Sequence, residues 1–175
     1  MSLKEREYSV LLVSASEKLN TALSDLLPES RYRPVRTVSS VSAGKRAWSE
    51  RSYDFVIINS PLPDDTGIRF AIDAAGSAGS VVLLLVRAEL QDDMRDKVVE
   101  HGVYTLAKPL SRPLVSLALD WLAAARERLR KLEKKAQKER KIFERYLEKE
   151  RAKAERKAAR EAEKARRKKE KDQTH

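Results

Sequence analysis

The stretch Asp54-Phe-Val-Ile-Ile-Asn59-Ser-Pro-Leu-Pro63-Asp-Asp-Thr-Gly67 decides how the first part of the chain is interpreted. Its apolar residues run without a break into Asn59, and a loop punctuated by proline and glycine follows. A short apolar run bounded by turn residues is typical of a strand buried inside a parallel sheet. Asn59 is then expected at the carboxyl edge of that sheet, where open α/β sheets place ligands and chemistry.

Strand and helix patterns alternate around this stretch. Strands that alternate with helices of about ten residues indicate right-handed βαβ units. The predicted fold is therefore α/β, a five-stranded doubly wound parallel sheet with helices on both faces and a long C-terminal helix. The other predicted elements are strands at 8–13, 34–38, 81–86 and 103–106, and helices that begin after Ser16 and after Ser39 or Ser40 or span 68–75 and 90–100. We place 34–38 at an edge because Pro34 cannot donate to a strand ladder.

Charge divides the chain into two parts. Residues 1–125 carry 15 Lys and Arg against 16 Asp and Glu, a balance of −1, whereas residues 126–175 carry 22 against 11, a balance of +11. This asymmetry indicates a basic interaction tail on a nearly neutral domain.

Composition also excludes several classes of protein. The absence of cysteine excludes disulfides, zinc–thiolate sites and thiol nucleophiles. No apolar run approaches the roughly 20 residues that a membrane span needs, and the first residues do not form a signal peptide. We therefore expect a cytoplasmic protein with no membrane partner.

The motifs of residues 8–125 resemble a response-regulator receiver domain. Asn59, Pro63 and Gly67 have the spacing of the family's phosphorylation loop, and Lys108-Pro109 follows the fifth predicted strand. The resemblance implies a CheY-like, flavodoxin-like arrangement of the sheet.

In that family, an acidic pair after the first strand holds Mg²⁺, and an aspartate ending the third strand accepts the phosphoryl group. A Thr or Ser after the fourth strand and a Lys after the fifth contact that group. The corresponding residues here are Ser14, Ala15, Asn59, Val86 and Lys108, and only the lysine matches. Because an amide oxygen is a poor nucleophile and Mg²⁺ needs hard oxygen ligands, we predict a degenerate receiver, or pseudo-receiver. It is expected to have no metal, no cofactor, no catalytic residues and no enzymatic activity.

The same pocket leaves two questions open. Asp64 and Asp65 either supply replacement carboxylates or are solvated residues of a Pro/Gly loop. Lys108 either donates to Asn59, imitating one fixed switch state, or packs its stem and leaves its amine in water. His101 is interpreted as a residue at a helix end.

The chain after Pro113 predicts one continuous helix, because no proline or glycine occurs from Leu114 to the end. Apolar residues recur on it at alternating steps of three and four, which favours a coiled-coil homodimer. We expect Leu114, Leu117 and Trp121 to pack on the sheet. The expected seam consists of Leu122, Ala125, Leu129, Leu132, Ala136, Phe143 and Tyr146. We divide the chain into a receiver-like domain (1–125), a helix with the seam (113–147) and a basic tail (148–175).

The tail contains no apolar side chain larger than alanine, so it is expected to be a solvated charged helix or a disordered segment. Its cluster Arg166, Arg167, Lys168 and Lys169 is a candidate site for RNA or DNA phosphates. A degenerate receiver that leads into a coil at 126–135 resembles the ANTAR class of antitermination regulators. That resemblance implies RNA binding, although residues 148–175 lack the large apolar residues of the ANTAR module.

We therefore predict a signal-transduction regulator, a dimeric pseudo-receiver linked to transcription antitermination and RNA binding. One alternative is a scaffold that recruits a protein partner and has no nucleic-acid role. The other is a phosphorylatable receiver of a two-component system.

Overall fold

A computed structural model describes residues 6–77 and 79–172, with side chains of the last helix described as far as residue 169. Five parallel strands form one sheet in the order β2-β1-β3-β4-β5. The strands are β1 (Tyr8–Val13), β2 (Tyr32–Val38), β3 (Phe55–Asn59), β4 (Val81–Arg87) and β5 (Val103–Lys108). The predicted fold class is confirmed, and β2 lies at an edge as its proline requires.

Four helices connect the strands and a fifth follows the sheet. They are α1 (Glu17–Ser24), α2 (Val41–Glu50), α3 (Ile68–Gly76), α4 (Gln91–Val98) and α5 (Arg112–Asp172). The side chain of Ser16 caps α1 and that of Ser40 caps α2. The predicted helix at 90–100 is shorter, because both of its ends are 3₁₀ turns; His101 closes the second turn before Gly102.

The sheet separates two hydrophobic cores. In β1, Val10 and Leu12 face the core under α1 and α5, whereas Leu11 and Val13 face the core under α2, α3 and α4. This alternation follows from the two-residue period of a strand, and burial on both faces explains why β1, β3 and β4 are apolar at nearly every position. Three strands extend beyond their predicted ends because pairing with neighbours continues to Asn59, Arg87 and Lys108.

The face with which α5 covers the sheet differs from our expectation. Val115, Ala118, Leu119, Leu122 and Ala123 are buried in the first core, whereas the three residues expected there are exposed. The prediction for Leu114, Leu117 and Trp121 is wrong; Trp121 retains 57% of its accessible surface. The five buried residues follow the i, i+3, i+4, i+7, i+8 spacing of one helix face, and Leu114, Leu117 and Trp121 lie off that face.

The chain divides into two compact units, Met1–Arg130 and Lys131–His175. The first contains the sheet and its helices, and the second contains the remainder of α5. None of the helices described is both long enough and apolar enough to cross a bilayer.

Candidate functional site

Three of the predicted pocket residues meet at the carboxyl edge of the sheet. Lys108 Nζ donates to Asn59 Oδ1 at 2.8 Å and to the carbonyl oxygen of Ser60 at 2.7 Å. Asn59 Nδ2 donates in turn to Ser14 Oγ at 3.3 Å. Ser14 and Asn59 are both buried, Asn59 retaining 8% of its surface. Of the two alternatives for Lys108, the structure therefore contains the hydrogen bond to Asn59.

Neutral oxygen atoms accept both of these Lys108 hydrogen bonds. Burial lowers the pKa of the Lys108 amine, and the nearby charge of Arg87 lowers it further, against a smaller opposing effect of Glu89. A carboxylate in the place of the Asn59 amide would instead attract the ammonium group directly.

The other two pocket positions contribute no polar side chain. Ala15 is exposed after β1, and Val86 is buried in the core on the α2–α4 side of the sheet. Beside Asn59 and Lys108 lies an open cleft of about 450 Å³, which is also lined by Ser16, Lys18 and Leu19.

The two loop aspartates serve the backbone. The carboxylate of Asp64 accepts hydrogen bonds from the backbone N–H groups of Val41 and Ser42, each at 2.9 Å, and thereby caps α2. These two bonds lower the pKa of the Asp64 carboxyl, outweighing the effect of burial. Asp65 accepts from the N–H of Gly67 at 2.7 Å. The hypothesis that these aspartates replace the missing carboxylates is therefore wrong.

Gly67 is required where the loop enters α3. Its φ is +81°, and a Cβ atom added there would lie 2.8 Å from Ile58 Cγ2. A larger residue would introduce both backbone strain and a steric clash. The glycine of the loop motif is therefore explained by the backbone conformation of the loop.

The donor set at this edge does not fit Mg²⁺. It consists of a hydroxyl, a neutral amide and a backbone carbonyl, with an ammonium group hydrogen-bonded to the last two. Mg²⁺ prefers carboxylate oxygens, and a cation already occupies the acceptors. Among the described residues, no group of three His, Cys, Asp or Glu side chains is placed to hold a metal ion.

The comparisons with known proteins agree on the architecture. No protein-family profile and no curated protein matches the chain. Solved structures do: the receiver domain of an HD-domain protein from Pseudomonas fluorescens has a TM-score of 0.64 at 21% identity over 75% of this chain and 96% of that one. A CheY-like receiver domain from Methylobacillus flagellatus has a TM-score of 0.57 at 20% identity, covering 66% of this chain and 98% of that one.

The chain has the CheY-like receiver fold. A third similar structure is a streptococcal protein, from a family of redox sensors that evolved from two-component response regulators. It has a TM-score of 0.60 at 22% identity over 70% of this chain, and the match spans 54%, about half, of that longer protein. At these identities the likeness establishes the fold.

The opposite, amino edge of the receiver fold carries a charged cluster that the sequence analysis missed. Arg126 Nε and an Arg130 nitrogen both donate to Asp54 Oδ1 at 2.8 Å. Asp54 Oδ2 accepts from the N–H of Ser9 at 3.0 Å and from its hydroxyl at 3.1 Å. We call Asp54, Arg126, Arg130, Glu127, Tyr8 and Arg6 the Asp54 cluster.

Glu127 completes the Asp54 cluster. It accepts from Arg130 at 2.8 Å, pairs with Arg6 at 2.6 Å and accepts from the Tyr8 hydroxyl at 3.3 Å. The Arg130 guanidinium also lies 5.2 Å from the centre of the Tyr8 ring. Together these contacts fix α5 against the starts of β1 and β3.

The pKa shifts in this cluster favour a charged Asp54 and a neutral Tyr8. Burial alone would raise the pKa of the Asp54 carboxyl, but hydrogen bonds from Arg126 and Ser9 and the charges of Arg130 and Arg126 hold it below its ordinary value. Burial raises the pKa of the Tyr8 hydroxyl, and the charge of Glu127 raises it further. In the sequence, the one signal for the Asp54 cluster was the four-residue spacing of Arg126 and Arg130, which places both residues on one face of a helix.

The residues of the predicted seam fall into two groups. Leu122 is 1% exposed, so its assignment to the seam is wrong: it is a core residue. Ala125 packs partly against the same core. Leu129, Leu132, Phe143 and Tyr146 are exposed, as are Ala136 and the neighbouring Ile142 and Leu147. For these residues the seam stays a prediction.

The basic cluster near the end of the described chain lies within a helix. Because successive residues of a helix point about 100° apart, Arg166, Arg167, Lys168 and Lys169 are distributed around its circumference. Arg167 pairs with Glu163 at 2.7 Å. The four residues therefore do not form a single patch, although all are exposed.

Proposed function

We propose that this chain is a regulatory module of signal transduction that works without aspartyl phosphorylation and without enzymatic activity, as a cytoplasmic homodimer. The observation that carries the proposal is the Lys108–Asn59–Ser14 hydrogen-bond chain. It occupies the edge where a phosphorylatable receiver fold needs a nucleophile and a metal ion, and it contains no carboxylate.

The nucleophile and the metal-binding carboxylates of phosphoryl transfer are missing from this arrangement, and Lys108 is retained. The Asn59 amide is neutral, and its oxygen accepts a hydrogen bond from Lys108 Nζ. That oxygen is therefore not available as a nucleophile. Ser14 and Ala15 provide no carboxylate to neutralise phosphoryl charge through a metal ion. Regulation is then expected through assembly or through the amount of protein.

A phosphodonor experiment tests this part of the proposal. The native chain, incubated with acetyl phosphate and Mg²⁺, is expected to show no mass gain. The Ser14→Asp/Ala15→Asp/Asn59→Asp variant restores the acidic residues and serves as the positive control, with its fold checked by near-UV circular dichroism. Phosphate retained on the native chain would contradict the proposal and favour the two-component alternative.

Dimerisation is supported by exposed apolar side chains in the unit Lys131–His175. Leu132, Ala136, Phe143 and Tyr146 recur at steps of four, seven and three residues, which is the heptad rhythm with Glu139 at the intervening position. Leu132 retains 63% of its surface. A second copy of the same helix would cover these residues.

Sedimentation velocity tests the dimer. We expect a native dimer and a shift to monomer in the Leu132→Ala/Phe143→Ala variant. The Leu117→Ala/Trp121→Ala variant is the matched control, since it removes exposed apolar residues of α5 that lie off the predicted seam. A native chain that sediments as a monomer would refute the seam.

The proposed output is contact with nucleic acid, in the antitermination role that the ANTAR resemblance implies. The support is the basic excess of α5; within the described residues, 112–172 form one helix, so the compact three-helix form of that module is not part of the proposal. The alternative is a protein-recruiting scaffold. Filter binding to an RNA hairpin distinguishes nucleic-acid contact from the scaffold. Binding at low salt that weakens steeply as salt rises supports nucleic-acid contact, because electrostatic binding depends on salt, and no binding at low salt favours the scaffold.

A further inference from the structure

We propose that residues 153–167 of α5 bind the phosphate backbone of B-form DNA, with two copies of the helix diverging from the dimer seam into the major groove. The inference rests on the dimer proposed above and replaces the cluster 166–169 with a different surface. It also favours DNA over an RNA double helix.

The heptad rhythm of the seam does not stop at Tyr146. The same alternation of four and three residues continues through Glu150 and on to a series of cations, all of them exposed. The cations at the continued seam positions are Lys153, Lys157, Arg160, Lys164 and Arg167. One face of the helix therefore changes from apolar to basic after Leu147 without any change of register.

The opposite side of this segment has a different composition. Positions away from the basic face hold alanines, at 152, 154, 158, 159, 162 and 165, together with the cations Arg156 and Arg166 and the carboxylates Glu155 and Glu161. Two cations of the basic face are paired with carboxylates: Lys153 with Glu150 at 2.7 Å and Arg167 with Glu163 at 2.7 Å. Lys157, Arg160 and Lys164 make no ion pair with any residue whose side chain the structure describes. Three cations of the basic face are thus available to a polyanion.

In a parallel dimer, the basic faces of the two helices would lie opposite each other. At the continued seam positions each cation would meet its own copy, and like charges that face each other repel. The two helices are therefore expected to separate after Leu147, with their basic faces turned towards the space between them. Basic regions that continue a dimeric coiled coil bind DNA in this way, forking across the major groove.

The dimensions of the segment favour B-form DNA. The basic face from 153 to 167 is about 21 Å long at 1.5 Å per residue, which corresponds to roughly six base pairs. An α-helix of about 10–12 Å diameter fits the major groove of B-DNA, which is about 12 Å wide. The major groove of A-form RNA is too narrow and deep for side chains to enter. Aromatic residues, which single strands need for stacking, are absent after Tyr146.

Two matched triple variants of the full chain test the inference. The face variant Lys157→Gln/Arg160→Gln/Lys164→Gln and the control Arg151→Gln/Arg166→Gln/Lys169→Gln each remove three cations. Fluorescence anisotropy with a DNA duplex of about 20 base pairs, between about 50 and 200 mM salt, gives the slope of log affinity against log salt. The face variant is expected to lower the magnitude of that slope by about five, at about 0.9 for each of six lost contacts per dimer. The control is expected to keep the native slope.

Four outcomes would overturn the inference. Equal losses in both variants would show attraction to net charge without a specific face. An RNA duplex of the same sequence that binds as tightly would remove the major-groove argument. Vesicles containing phosphatidylserine that bind when DNA does not would identify a membrane surface. No DNA binding at the lowest salt would reject any DNA contact.

Sedimentation of the same samples separates the two proposals. If the native chain and both variants are dimers and DNA binding is absent, the basic face is refuted and the dimer stands. If the native chain is monomeric, the proposed function fails and the inference fails with it. Circular dichroism of all samples confirms that glutamine substitution leaves the helix intact.

Discussion

The two edges of the sheet carry opposite kinds of polar network. At the carboxyl edge, Lys108 donates to neutral oxygen atoms of Asn59 and Ser60, and no carboxylate takes part in these bonds. At the amino edge, Asp54 and Glu127 bind Arg126 and Arg130 in a partly buried cluster. The network at the carboxyl edge, where this fold commonly performs chemistry, thus contains one cation and no carboxylate. The ion pairs between carboxylates and arginines lie at the amino edge, where they hold α5.

This difference indicates what the charges of the first unit do. A network of carboxylates and arginines is expensive to desolvate and is retained here where it fixes a helix in one register. A helix held firmly at the amino edge suits a module whose output depends on α5 and whose pocket does not switch.

The largest expected effect comes from breaking the amino edge. Asp54→Asn keeps the size of the side chain but removes the carboxylate charge that both Arg126 and Arg130 contact, at a site where Asp54 is 14% exposed. Removing one partner of such a pair is expected to lower the free energy of unfolding by about 3 kcal/mol. Urea denaturation of the native and variant chains at neutral pH measures the difference.

Asp73→Asn is the matched control for that experiment. Its pair with Arg69 lies on the exposed surface of α3, so its loss is expected to change the free energy of unfolding by less than about 0.5 kcal/mol. Because the folded-state pKa of Asp54 is lowered, its contribution is present above its ordinary pKa and is lost as pH falls through the folded value. A gap between the native chain and Asp54→Asn that does not begin to narrow as pH falls below 3.8, the ordinary pKa of an aspartate, would contradict the ion-pair explanation.

The carboxyl edge is expected to respond less. Lys108→Met retains the aliphatic stem but removes the donor to Asn59 Oδ1 and to the Ser60 carbonyl oxygen. Loss of these bonds is expected to lower the free energy of unfolding by about 1–2 kcal/mol, measured in urea. Lys97→Met, which removes an exposed pair with Asp93, is the control and is expected to stay within about 0.5 kcal/mol. A Lys108→Met effect larger than that of Asp54→Asn would reverse the comparison.

The two edges also differ in how far the sequence predicted them. Asn59, Ser14 and Lys108 were placed together correctly because parallel strands end at the same edge and their apolar runs are easily identified. The Asp54 cluster was missed because Arg126 lies 72 residues after Asp54, and no local pattern connects the two positions.

The long helix shows the same limit. Its existence followed from the absence of proline and glycine after Leu114, but its inward face did not. Which face of α5 meets the sheet, the one with Ala118 and Ala123 or the one with Trp121, depends on the shape of the surface beneath the helix. The role of Asp64 as a cap was likewise set by the tertiary position of α2.

The smallest expected effect is an opposite response of the two edges to alkaline pH. The pKa of Tyr8 is raised above its ordinary value of 10.0, so its contribution to stability is present below pH 10 and is lost as pH rises through the folded value. The pKa of Lys108 is lowered from 10.5, so folding is favoured above that value and the advantage is lost as pH falls through the folded value.

Two variants separate these contributions. Tyr8→Phe is expected to reduce the alkaline loss of stability, and Lys108→Met is expected to increase it, in urea titrations between about pH 8 and 11. Tyr32→Phe is the control for Tyr8, because the pKa of Tyr32 is also raised, by burial first, without a bond to Glu127. If Tyr8→Phe and Tyr32→Phe reduce the alkaline loss of stability equally, burial alone accounts for the raised pKa of Tyr8, and Glu127 adds nothing to it. A larger effect of Tyr8→Phe would identify the charge of Glu127 as the additional cause.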